Sequence, residues 1–232
     1  MCCKGSEAVL SIIIPTLNAG GFLRPTLQTL ADAAHLPHEV IVADGGSIDD
    51  SALIATECGA IFLETQRGRG RQLSAGAAAA AGDWFLFLHA DTHPQPGWSR
   101  AVEAFMESPA NRFIAGYFRF ALDDHARAAR LMEQIVRLRS RLLRLPYGDQ
   151  GLLIDREFYE HLGGYKRLPL MEDVDIVRRI GRTRMRAIPA TAVTSADKYR
   201  RDGYLIRPLR NLVMLSLYAA GVSPRYLSTR YR

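Results

Sequence analysis

An α/β fold, with a mainly parallel central sheet flanked by helices, is predicted by three features of the sequence. Short β-branched or aromatic runs recur, helical segments lie between them, and turn or acidic residues close each run. Val9-Leu10-Ser11-Ile12-Ile13-Ile14 is a buried strand stopped by Pro15, and Asn18-Ala19-Gly20-Gly21 is a turn. Residues 22–34 place Phe22, Leu23, Leu27 and Leu30 at helical spacing. Glu39-Val40-Ile41-Val42-Ala43 is a second strand, closed by Asp44-Gly45-Gly46-Ser47. A helix over 49–58 follows, with Asp49 or Ser47 as its cap. Then come a strand at 60–63, a basic loop at 67–71, an Ala-rich helix at 74–81 and a fourth strand at 83–88. This alternation is the rhythm of parallel strands joined by right-handed crossovers.

The second half is less regular. Residues 96–108 read as a helix and Phe113-Ile114-Ala115-Gly116-Tyr117-Phe118-Arg119-Phe120 as a strand. A long helix over 126–145 carries Leu131, Ile135, Leu138 and Leu142 on one face and Arg on the others. The tight loop Tyr147-Gly148-Asp149-Gln150-Gly151 leads into a strand at 152–154. Helices are expected at 156–162, from 172 to 181 and at 205–220. The chain reads as one domain with two halves, 9–92 and 93–195, and a basic helical segment over 196–232.

The net charge of +6 is unevenly spread. Residues 127–145 hold six Arg against one Glu, a net +5, and residues 197–232 hold eight Lys or Arg against two Asp, a net +6. The rest is therefore acidic. Two basic segments on an acidic body suit contact with phosphate groups or an anionic membrane surface, and equally suit solvated helix faces. They carry no nucleic-acid reading motif. The apolar stretch over 212–222 is too short to span a bilayer, so a membrane would be met at its surface. Cys2, Cys3 and Cys58 form no disulfide framework, and no signal peptide is legible. The expected location is the cytoplasm, with the inner face of the cell membrane as a peripheral station.

Four clusters carry candidate chemistry: Pro15-Thr16 with Asn18, Asp44 to Asp49, His89-Ala90-Asp91, and Glu172-Asp173. Singly, each has a plain structural reading as a turn, a cap or a buried histidine. Strands of a parallel sheet open their carboxyl ends on one edge, so the first three clusters should meet there. Acids gathered at one edge repel unless a cation or ligand relieves them. Asp91 offers an oxygen to Mg²⁺ or Mn²⁺, which bind through few carboxylates plus substrate phosphates. Arg67, Arg69 and Arg71 sit among glycines, where they could approach phosphates or form a solvated turn.

The order Ile14-Pro15-Thr16-Leu17-Asn18, Val42-Ala43-Asp44-Gly45-Gly46-Ser47, Leu88-His89-Ala90-Asp91-Thr92 and Met171-Glu172-Asp173-Val174 strongly resembles family 2 glycosyltransferases of GT-A fold. Within them it looks most like the group of radical-SAM/selenodomain-associated transferases. That resemblance implies an inverting, metal-dependent transfer of one sugar from a nucleotide-diphosphate sugar, a UDP-sugar by preference, to a hydroxyl acceptor, free or lipid-linked. It places Pro15, Thr16, Asn18, Asp44, Gly45, Ser47, Arg71, His89, Ala90 and Asp91 around the donor, with Asp44 on the base. It makes Asp91 the metal ligand and Asp173 the base that deprotonates the acceptor. Gly148, Asp149, Gln150 and Glu172 would border the acceptor. His89 departs from the family, which usually has Asp there; an imidazole would favour Mn²⁺. The Gln-x-x-Arg-Trp signature of processive synthases is absent, and Asp197-Lys198-Tyr199-Arg200-Arg201 stands in its region. A nucleotidyltransferase, which would want a Gly-rich loop after the first strand, and a non-catalytic binding module are the competing readings.

Overall fold

The computed structural model describes residues 8–143, 145–204 and 206–230. Cys2, Cys3, Arg144, Leu205 and the last two residues of the basic C-terminal segment lie outside them. The sheet begins as expected. β1 (Leu10–Thr16) pairs in parallel with β2 (His38–Asp44) and with β4 (Trp84–Phe87), and β2 pairs in parallel with β3 (Ile61–Glu64). The intervening helices are α1 (Gly20–Thr29), α2 (Ser51–Glu57) and α3 (Arg69–Ala79). β1 is buried on both faces, with Ile12 and Ile14 in one apolar cluster and Ile13 in the other. That explains why Ile12-Ile13-Ile14 run together without polar alternation.

The second half turns the sheet from parallel to mixed. β5 (Thr92–Pro94), β6 (Ala115–Leu122), β7 (Leu152–Asp155) and β8 (Met185–Thr194) complete the order β3-β2-β1-β4-β7-β6-β8-β5. β7 runs antiparallel to β4, pairing Phe87 with Leu152. The loop before β7 is therefore carried to the carboxyl end of β4. β8 runs parallel to β6 and antiparallel to β5, pairing Thr194 with Thr92. Its end thus reaches the same edge. The helices here are α4 (Trp98–Met106), α5 (Arg127–Leu143), α6 (Arg156–His161), α7 (Glu172–Ile180), α8 (Asp197–Asp202), α9 (Ile206–Ala219) and α10 (Pro224–Arg230).

Two expectations are corrected, and the orientation of a third element is settled. The segment at 67–71 is not wholly a loop, because α3 starts at Arg69 with Gly68 before it at φ 134°. Its entry is packed too tightly for a side chain: a Cβ at Gly70 would lie 2.8 Å from the Leu168 carbonyl oxygen. The helix over 22–34 ends as an α-helix at Thr29 and continues as a 3₁₀ turn over Leu30–Ala33. The apolar stripe of α5 does not face the core. Ala129, Met132 and Val136 are buried instead, and Leu131, Ile135, Leu138 and Leu142 are exposed.

The Ala-rich helix packs closely on the sheet, as its small residues suggest. A Cβ on Gly76 would meet Ile13 Cγ2 at 2.5 Å, in the middle of β1. Gly76→Val is therefore expected to destabilise the fold by about 1–3 kcal/mol, the range for overpacking a filled core. Urea denaturation checks it; an unchanged midpoint would mean that α3 is not seated on β1 in this way.

Candidate functional site

The ends of β1 and β2 are tied together by Asp44. Thr16 Oγ1 donates to Asp44 Oδ1 at 2.9 Å, and the Gly46 and Ser47 amides donate to Oδ2 at 2.8 and 2.7 Å. Ser47 Oγ also donates to Oδ1. Burial alone would raise the Asp44 carboxyl; the donors from Ser47, Thr16 and Gly46 outweigh it and hold it below the usual carboxylate value. These four bonds use the roughly four lone-pair sites of a carboxylate. Direct contact with a nucleotide base would need Ser47 Oγ to rotate away. Asn18 adopts φ 50°; its side-chain Oδ1 accepts from the Ile48 amide at 3.0 Å, and its own amide donates to Ser47 Oγ at 2.8 Å. Gln72 completes the loop from below, donating to the carbonyls of Thr16 and Ala43 at 2.6 and 2.9 Å. Gly45 packs against it, and Pro15 is half-buried at the end of β1.

After β4 the chain leaves the sheet at Leu88, and His89, Ala90 and Asp91 form its tip. The Ala90 carbonyl accepts from Thr26 Oγ1 at 2.6 Å and the Asp91 carbonyl from the Ser195 amide at 3.0 Å. The tip is therefore held by α1 on one side and by the segment after β8 on the other. Asp91 is 7% exposed, and its carboxylate is paired with Lys198 Nζ of α8 at 2.8 Å. Burial would raise the Asp91 carboxyl, but the Lys198 and Arg69 cations hold it below its ordinary value, so it is ionised. Burial, and then the Arg69 charge, hold the His89 imidazole well below its ordinary value, so it is neutral. Arg69 Nη2 contacts His89 Nε2. That leaves the ring proton on Nδ1, the nitrogen 3.9 Å from Asp91 Oδ1.

Glu172 and Asp173 open α7. Glu172 is buried and faces Arg69 Nε at 2.9 Å. Burial raises its carboxyl, Arg69 draws it down, and Asp173 adds to the rise. Asp173 is half-buried; its Oδ2 accepts from the Gly148 amide at 3.1 Å and its Oδ1 from the Val174 amide at 2.8 Å. Asp149, next to Gly148, has its carboxyl pushed up by burial, partly offset by Arg139. Asp149 Oδ1 is buried without a hydrogen-bond partner among the described residues. Gln150, expected beside the acceptor, is turned into the core, accepting from Ser140 Oγ at 2.8 Å and donating to the Phe118 carbonyl at 3.0 Å.

A cavity of about 580 Å³ joins these groups. Arg69, His89, Asp91, Gly148, Asp149, Glu172, Asp173 and Lys198 form its polar wall, and Met132, Val136, Leu209, Leu212 and Leu215 contribute an apolar one. The expected residues Pro15, Thr16, Asn18, Asp44, Gly45, Ser47, Arg71 and Ala90 do not line this cavity, although the strand-end residues share its sheet edge. Arg71 bonds Gln66 Oε1 at 2.7 Å, and it is Arg69, from the same turn, that enters the cavity. Lys198 is a charged site residue that the sequence did not single out, as are the cavity-lining Arg139 and Arg207. Arg69 was visible as one of three loop arginines; Lys198 had no local signal. Among the described residues, no three His, Cys, Asp or Glu side chains converge to hold an ion unaided. The donors present, one buried ionised carboxylate beside a neutral imidazole, suit a hard or borderline divalent cation that takes its remaining oxygens from phosphate.

Comparison with known proteins agrees with this architecture. The chain is 36% identical over 90 residues to a PGL/p-HBAD biosynthesis glycosyltransferase of Mycobacterium bovis, covering 36% of this chain and 35% of that protein. It is 31% identical over 107 residues to an uncharacterized glycosyltransferase of Nostoc sp., covering 43% and 33%. The matches thus span about a third of the length of these curated relatives. Among solved structures, glucosyl-3-phosphoglycerate synthase of Mycobacterium tuberculosis, in complex with Mn²⁺, UDP and glucosyl-3-phosphoglycerate, superposes with TM-score 0.57 at 19% identity, covering 81% of this chain and 70% of that one. The same synthase with Mg²⁺ and UDP gives the same TM-score and coverage. These likenesses show a GT-A fold. The family model for Glycosyl transferase family 2 matches residues 11–167, more than half of the sequence, and the chain belongs to that family.

Proposed function

We propose that this glycosyltransferase moves one sugar, with inversion, from a UDP-sugar to a hydroxyl acceptor, with Asp173 as base and Asp91 as the anchor for a divalent cation. The observation that carries the reading is the meeting of Asp91 and Asp173 on the wall of one cavity, at the edge where β1, β2 and β4 all end. The loops bearing Thr16, Asn18 and Ser47 would hold the nucleotide, with Asp44 fixing their shape. Mn²⁺ or Mg²⁺ held by Asp91, with His89 as a neutral neighbour, would supply charge neutralisation to the donor diphosphate.

The protein groups then act in order. The acceptor hydroxyl lies against Asp173, whose orientation is set by the Gly148 amide. Its oxygen attacks the anomeric carbon from the face opposite the diphosphate. The carbon–acceptor bond forms as the carbon–phosphate oxygen bond breaks, the hydroxyl proton passes to Asp173, and UDP leaves with the bond electrons. Asp149 lines the same cavity beside Asp173 and would border the acceptor. The apolar wall of the cavity suits an acceptor carried on a lipid. Release of UDP from UDP-sugars, followed with Mn²⁺ across a panel of nucleotide sugars, tests the reading. Turnover of no nucleotide sugar, alone or with polyprenyl phosphate, glycerol phosphate or sugar acceptors, would count against it.

Lys198 has a definite place in this cycle, because a cation at Asp91 must displace its ammonium. Lys198→Met is expected to bind Mn²⁺ about fivefold more tightly, the equivalent of about 1 kcal/mol for a half-exposed ion pair. Calorimetric titration of Mn²⁺ without donor measures this. Unchanged affinity would show that Lys198 and the cation do not compete for Asp91.

A further inference from the structure

Two helices expose apolar stripes that the fold leaves uncovered. On α5 the four side chains Leu131, Ile135, Leu138 and Leu142 are each 51–66% exposed. On α9, Ile206, Leu209, Leu212, Val213 and Leu217 are each 37–70% exposed. Both sets recur at the three- and four-residue spacing that keeps side chains on one helix face. α5 is fixed in this orientation by its other side, where the buried Glu133 accepts from the Leu122 amide at 2.8 Å and Ser140 Oγ bonds Gln150 at 2.8 Å. The two stripes flank one opening, since Ile135, Leu209 and Leu212 all line the cavity that holds Asp91 and Asp173.

The charge around them selects the occupant. Arg127 and Arg141 are exposed and stand one helical turn from Leu131 and Leu138. Arg225 and Arg230 are exposed on α10. The one acid of α5, Glu133, is buried and held by Arg130, and α9 and α10 contain none. A second copy of the chain would set this cationic face against itself. An anionic bilayer complements both the charge and the apolar stripes. No helix among the described residues is long and apolar enough to cross a membrane, so the two would lie in the interface.

We propose that the α5–α9 face docks on an anionic lipid surface, with its leucines among the headgroups and the mouth of the cavity against the membrane. Docking is a property of this face and does not depend on the transfer chemistry. Flotation of the full chain with vesicles tests it, comparing phosphatidylcholine alone with phosphatidylcholine mixed with phosphatidylglycerol. Binding is expected on the mixed vesicles at low salt and not on the zwitterionic ones. Leu138→Gln and Leu212→Gln should each weaken partitioning about tenfold, and Arg127→Gln and Arg141→Gln about fivefold each. Leu53→Gln, an exposed leucine on α2, should bind as the parent does. Failure to float with anionic vesicles overturns the proposal. So does equal binding by the α5 and α9 variants, or an equal loss with Leu53→Gln. Sedimentation on the same samples distinguishes the rival occupant: a dimer dissolved by Leu138→Gln, with no vesicle binding, would assign the face to a second copy.

Discussion

Asp173→Asn should lose transfer by on the order of 10²–10⁴-fold in kcat, the usual contribution of a positioned base, while UDP affinity stays near that of the parent. The asparagine oxygen can still accept from the Gly148 amide, so the loop before β7 keeps its place. The amide cannot take the acceptor proton. A parallel loss of UDP affinity would mean that Asp173 serves the donor, and unchanged turnover would remove it from the chemistry. Single-turnover kinetics beside calorimetric UDP titration separates these outcomes.

Asp91→Ala should act on binding instead. In Mn²⁺ the variant is expected to bind UDP at least roughly 10–100-fold more weakly, since losing even an outer support of a metal site costs that much. In EDTA, parent and variant should be alike. Lys198 loses its partner in this variant, but its side chain is 53% exposed and can return to water. The melting temperature should therefore change little. A large fall in melting temperature would point to a structural ion pair in place of a cation anchor.

The first four strands were legible because each is a short β-branched or aromatic run ended by a proline, an acid or a glycine turn. Their carboxyl ends lie on one edge, so the convergence of Thr16, Asp44 and Asp91 could be anticipated from alternation alone. β8 was not legible. Its sequence carries Pro189 and three alanines, and its pairing with β6 slips between Tyr117 and Arg119, opposite that proline. With β8 unseen, so was the return of the chain to Asp91, and with it Lys198. The orientation of α5 was not legible for another reason. The helix has two apolar faces, and the narrower one is buried because Glu133 and Ser140 make specific bonds there. Periodicity finds a stripe but cannot say which of two stripes the polar contacts will turn inward.

Gln150 and Arg71 show the same limit at the site. Both lie in the right segment, yet one is used to tie α5 to β6 and the other bonds its neighbour Gln66. Segment position follows from sheet topology, whereas side-chain direction follows from the partners each turn happens to meet. His89 is where this chain departs from the family pattern, and its neutral ring beside Arg69 leaves Asp91 as the one carboxylate of that tip.

The most direct test is a titration of UDP into the parent protein with Mn²⁺ and again with EDTA. A site built on Asp91 should bind UDP with at least roughly tenfold higher affinity when Mn²⁺ is present. Equal affinity in the two conditions would contradict the cation role of Asp91.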